Sequence, residues 1–79
     1  MKLHEAPTGT TVVVESVADG PTGHRLGALG FVPGTTIQVG RRAPLGDPTV
    51  YRVRGADLAI RRGTAALVEV RFAVDEVAS

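Results

Sequence analysis

Thr49-Val50-Tyr51-Arg52-Val53-Arg54-Gly55-Ala56-Asp57-Leu58-Ala59-Ile60-Arg61 is the stretch that decides the fold. Apolar and polar residues alternate on both sides of a glycine, the period-two signature of two half-buried strands joined by a tight turn. Tyr51 and Val53 fall on one face of the first strand, Thr49–Arg54, with Arg52 and Arg54 on the other. In the second, Asp57–Arg61, Leu58 and Ile60 point inward. Gly55-Ala56 reads as a type II′ turn with glycine at its first central position, which sets Arg54 opposite Asp57.

Working outward, the same alternation predicts strands over Thr10–Val17, Thr35–Arg41 and Ala66–Phe72. Their inward residues are Val12, Val14, Ile37, Val39, Val68, Val70 and Phe72, and Val17 rejoins that face only through a bulge. Asp19-Gly20-Pro21 breaks the first strand, and Thr22 is placed to cap a short helix over His24–Leu29 that ends at Gly30. Arg42–Pro48 is a loop, Arg62–Ala65 a turn, and the tail after Val74 is expected to fray. Twelve valines and eight threonines favour pleated structure throughout. The expected fold is all-β with a short helix: a small SH3-like barrel of about five antiparallel strands, one domain over residues 1–79. Ile60→Ala is expected to cost roughly 2–5 kcal/mol, the usual loss for a buried aliphatic.

The chemistry-bearing residues are sparse. With two serines, two histidines and no cysteine, the chain offers no nucleophile beside an oriented base, and no catalytic residue is assigned. No phosphate-cradling glycine motif is present. His4 and His24 read as solvated surface residues, and His4-Glu5 lies near an end expected to be mobile. No metal site and no cofactor are expected, because three or four good donors do not come together. The opening residues reach Pro7 without an apolar run, as expected of a cytoplasmic protein without a signal peptide. Net charge is +1, which argues against nucleic acid as the principal partner. Two features remain for binding. Arg25, Leu26, Leu29 and Phe31 around the helix, with Pro44 and Leu45 of the loop, form a candidate partner-binding face; alternatively Leu26, Leu29 and Phe31 plug the open end of the barrel. Arg41, Arg42, Arg52, Arg54, Arg61 and Arg62 form a candidate basic patch, or else a solvated face.

Three segments at this separation, Arg25-Leu26-x-x-Leu29-Gly30-Phe31-x-Pro33-Gly34, Arg42-Ala43-Pro44-Leu45-Gly46-Asp47-Pro48 and Tyr51-x-Val53-Arg54-Gly55, resemble the FeoA family of bacterial ferrous-iron uptake. Ala28, and Gly63-Thr64 before Ala65, depart from the commoner polar or acidic residues of that family. The resemblance implies a small cytosolic accessory protein, not an enzyme. It would act by protein–protein interaction with the cytosolic GTPase region of the membrane iron transporter FeoB, without inserting in the membrane. The alternative it implies is a stand-alone regulatory module related to the C-terminal domain of DtxR-type iron-dependent repressors. An SH3-like domain recruited to an unrelated partner is a third reading.

Overall fold

The computed structural model describes residues 1–73; the expected fraying after Val74 lies outside them. Five strands, β1 (Thr11–Val17), β2 (Thr36–Arg42), β3 (Thr49–Val53), β4 (Ala56–Ile60) and β5 (Val68–Phe72), form one antiparallel sheet in the order β4-β3-β2-β1-β5. Helix α1 (Pro21–Ala28) joins β1 to β2, and a single helical turn, α2 (Arg62–Ala65), joins β4 to β5. A 3₁₀ turn over Leu3–Glu5 precedes β1. The register of β1 on β5 shifts between Val14 and Ser16, and this bulge returns Val17 to the side of the core.

Turn chemistry moved the β3–β4 hairpin from its expected position. Val53 pairs with Ala56, so the two central residues are Arg54 and Gly55, with φ of 53° and 81°. Positive φ at both marks a type I′ turn, whose twist suits the flanking strands; glycine takes this conformation freely, and Arg54 is held in it. The expected Arg54–Asp57 pairing is therefore replaced by Arg52 opposite Asp57, joined by hydrogen bonds of 2.9 and 3.2 Å. Because the partner of Asp57 changes by two residues, every side chain keeps its face.

Helix α1 starts earlier than expected, with Gly20 at the cap position and Pro21 at the first helical residue. Proline suits that position because its missing N–H would have no helical partner and its φ is preset. Thr22 thus lies inside the helix, and its hydroxyl accepts a 3.5 Å contact from Arg25 Nη2. Gly23 is needed for contact: a Cβ there would sit 1.9 Å from the Ala18 carbonyl oxygen, so only glycine lets α1 fold back against the end of β1.

The core holds Val12, Val14, Ile37, Val39, Val53, Val68 and Val70, as the alternation indicates, together with Tyr51, Leu3, Ala6, Leu26, Phe31 and Ala65. Leu58 and Ile60 pack against it only half-buried, because β4 has a neighbour on one side only. Phe72, expected inside, is half exposed at the end of the opposite edge strand. The N-terminal residues, expected to be mobile, are pinned instead. Leu3 is buried, the Met1 carbonyl accepts a 2.8 Å hydrogen bond from Val70 N–H, and the Met1 ammonium and Lys2 Nζ reach Glu69 at 2.9 and 3.1 Å.

Two outcomes follow. Ile37→Ala should cost roughly 2–5 kcal/mol, whereas Ile60→Ala, removing a half-buried side chain, should cost about 1 kcal/mol. Equal losses in urea unfolding would contradict the edge position of β4. The Met1 ammonium, then Lys2, holds the Glu69 carboxyl below its ordinary 4.5, and Glu69 holds the ammonium above its ordinary 8.0. The carboxylate's contribution is complete above pH 4.5 and lost as pH falls through its lower folded value. That of the ammonium is complete below pH 8.0 and lost as pH rises through its higher folded value. Glu69→Gln should therefore lower the melting temperature modestly between those limits and match wild type in stronger acid; a deficit that persists in acid would show that Glu69 acts through packing.

Candidate partner-binding site

The residues singled out around α1 separate into two kinds. Leu26 and Phe31 are buried, at 3% and 1% exposure, and serve as the plug. Leu29, one residue past the helix, is 49% exposed, and Arg25 lies on the same open side. Between α1 and the sheet runs an apolar groove with Arg25, Leu26, Ala28 and Leu29 on one wall and Ile60 and Thr64 on the other. Ile60 and Thr64 were not legible as site residues: each reads as an ordinary strand or turn position until the fold sets β4 and α2 beside the helix. Nothing in the local pattern signals it.

Pro44 and Leu45 do not line this groove. Their loop is fastened elsewhere. Ala43 N–H donates to the Pro48 carbonyl at 2.9 Å, Gly46 N–H to the Ala43 carbonyl at 2.7 Å, and Asp47 Oδ1 accepts from Arg62 N–H at 2.8 Å. Asp47 thereby satisfies one of the free donors at the start of α2, the work of an N-cap supplied from a distant loop. This anchorage leaves Leu45 at the tip, 95% exposed.

The six arginines of the candidate basic patch are distributed over different surroundings. Arg42 is half-buried and internal in its work: Nη1 donates to Thr49 Oγ1 at 3.0 Å and Nη2 to the Ala6 carbonyl at 2.6 Å. Arg52 is paired with Asp57, and with Arg41 it borders a shallow polar groove on the outer face of the sheet, near Gln38 and Val50. Arg54 occupies the hairpin turn, and Arg61 and Arg62 the junction of β4 with α2.

The phenol of Tyr51 is buried, which raises its pKa above the ordinary 10.0 despite the opposing influence of Thr49 and Arg42. A buried phenol held neutral behind Thr49 is a core group. His24 is exposed, while His4 is half-buried, with its Nδ1 shielded from solvent and unpartnered. Among the described residues, no three of His, Cys, Asp and Glu come together as metal ligands, and no helix is long and apolar enough to cross a membrane.

A five-stranded antiparallel sheet plugged by a short helix, with an open apolar groove beside it, defines a small domain of the SH3-like kind. The FeoA domain model matches residues 1–72, and the chain belongs to the FeoA family. It is 40% identical over 73 residues to a Porphyromonas gingivalis protein described as a fusion of Fe(2+) transport protein A with the Fe(2+) transporter FeoB; the match spans 91% of this chain and 9% of that one. The crystal structure of Stenotrophomonas maltophilia FeoA complexed with zinc, described as a procaryotic SH3 domain protein, superposes with a TM-score of 0.81 at 36% identity, covering 90% of this chain and 89% of that one. A manganese-dependent transcriptional repressor shares the fold alone, with a TM-score of 0.80 at 15% identity over 91% of this chain and 40% of that one.

The Arg42 contacts give a direct stability test. Arg42→Ala leaves the carbonyl of the buried Ala6 without its donor and should cost on the order of 1.5–3 kcal/mol, because one partner of a charge-assisted bond is removed and the other stays buried. Arg42→Lys, with one compact charge where the guanidinium spans two acceptors, should recover only part of that loss. Unfolding curves for the two variants check this, and wild-type stability in Arg42→Ala would show that Ala6 finds water instead.

Proposed function

We propose that this protein is a small cytoplasmic adaptor of bacterial ferrous-iron uptake. In this reading it binds the cytosolic GTPase region of a FeoB-type transporter through the groove beside α1. The observation that carries this reading is the P. gingivalis relative, whose name joins the two partners in one chain. Fusion keeps two modules at high effective concentration, the arrangement expected when their encounter matters to function. The site chemistry agrees: an exposed leucine beside an apolar groove, with Arg25 on its wall, has the anchor and polar rim of a protein–protein contact. An adaptor acts on such a partner by differential affinity, binding one conformational state of the GTPase or of the transport channel more tightly than another. The repressor-related reading rests on shared fold alone and has no comparable support in the site.

Leu29→Glu is the decisive variant, since a residue half open to solvent tolerates a charge without loss of the fold. Binding to the isolated GTPase region should weaken at least tenfold, with an unchanged circular dichroism spectrum. Leu45→Glu, on the loop between β2 and β3, should weaken binding less. Wild-type affinity in a folded Leu29→Glu protein would move the docking face away from α1.

A further inference from the structure

The two edges of the sheet are treated differently. The β5 edge is partly covered by the start of the chain, through the Val70–Met1 hydrogen bond and the bridge of Lys2 with Glu69. Strand β4 has no such cover among the described residues. In the two-residue hairpin the Val53–Ala56 pair exchanges hydrogen bonds, and so, by alternation, do Tyr51–Leu58 and Thr49–Ile60. The N–H and C=O groups of Asp57 and Ala59 therefore point away from β3. Neither residue takes part in the backbone bonds formed outside the ladder.

Helix α1 lies near both ends of this strand. At one end, a methyl group on Gly30 would lie 3.1 Å from Val53 Cγ1 and 3.2 Å from Arg54 Cδ, so the end of α1 abuts the β3–β4 turn. At the other end, Thr22 shares the apolar groove with Ile60 and Thr64. The two ends of the α1 segment thus lie near the two ends of β4, with the apolar groove opening between the helix and Ile60. Among the described residues, Glu69, Asp57 and Glu15 already pair with the Met1 ammonium, Lys2, Arg52 and Arg71, while Arg25, Arg54 and Arg61 around the groove make no ion pair.

We infer that the gap between β4 and α1 binds an extended, acidic segment of a partner protein as a sixth strand. Its backbone pairs with the outward amides and carbonyls of Asp57 and Ala59. Alternate apolar side chains enter the groove against Leu26, Leu29 and Ile60, and carboxylates meet Arg25, Arg54 and Arg61. Main-chain pairing supplies affinity in this mode, while the alternate pockets and the charge supply selectivity. The inference rests on the adaptor reading only in taking α1 as the docking side; it specifies how the partner is held.

The test uses a synthetic peptide alone, so it can fail while the transporter domain still binds, and the reverse. The probe is an end-blocked six-residue peptide alternating valine and glutamate, titrated into ¹⁵N-labelled protein. Saturable shifts at the Asp57, Ala59 and Arg61 amides are expected. At least a tenfold loss should follow N-methylation of alternate peptide amides, Ala59→Pro, or Arg54→Glu with Arg61→Glu. Proline is tolerated at an edge position whose N–H makes no ladder bond, and the N-methylated peptide reports independently of that variant's folding. No saturable binding, binding indifferent to N-methylation, or shifts confined to α1 would each overturn the proposal. Self-association through β4 that excludes the peptide would overturn it too.

Discussion

One sheet of five short strands has an inner face that cannot be buried by strands alone. Everything else in this structure answers that constraint. Leu3 and Ala6 come in from the N-terminal 3₁₀ turn, Leu26 and Phe31 from α1 and the turn after it, and Ala65 from α2, so that three non-strand segments close the core around eight inward strand residues. A domain of this size buries a modest share of its surface, so each of these plugs bears a large part of the whole. That is why the connections are tied down by specific polar contacts. Arg42 holds the first segment to β3, Asp47 holds α2, and Gly23 allows α1 to lie against β1.

The plug and the groove are two sides of the same helix. Leu26 faces inward and Leu29, three residues on, turns toward the open side, so packing alone decides which leucine is available to a partner. In the adaptor reading proposed above this division matters. The buried leucine sets the position of the exposed one, and the rigid sheet beneath gives the partner a preformed surface instead of one that must be ordered on binding.

Much of the fold was legible because its strands are patterned with period two, and that period survives errors in register. The hairpin is the clear instance: the turn lies one residue earlier than Gly55-Ala56 suggests, yet Leu58 and Ile60 still face inward. What could not be read was which strand would be an edge, since alternation is the same at the centre and the rim of a sheet. Hence Ile60 and Phe72 seemed core residues and proved half open. Burial of Leu3 and Ala6 was hidden by their short, irregular segment, which has no period to read. The candidate site was legible at Arg25, Leu26 and Leu29. Its far wall depends on a contact between elements more than thirty positions apart in sequence.

The short β4 strand carries a liability of its own. An uncovered strand edge is a template for any other strand, including that of a second copy, and proteins that leave one open must prevent endless pairing. Here Arg54 and Arg61 flank the edge at its two ends. In an antiparallel approach of two copies, the arginines at each end would meet like charges. Like charges at both ends of the strand therefore disfavour the stacking of one copy on another, so that crowding need not convert an open edge into an aggregation seed.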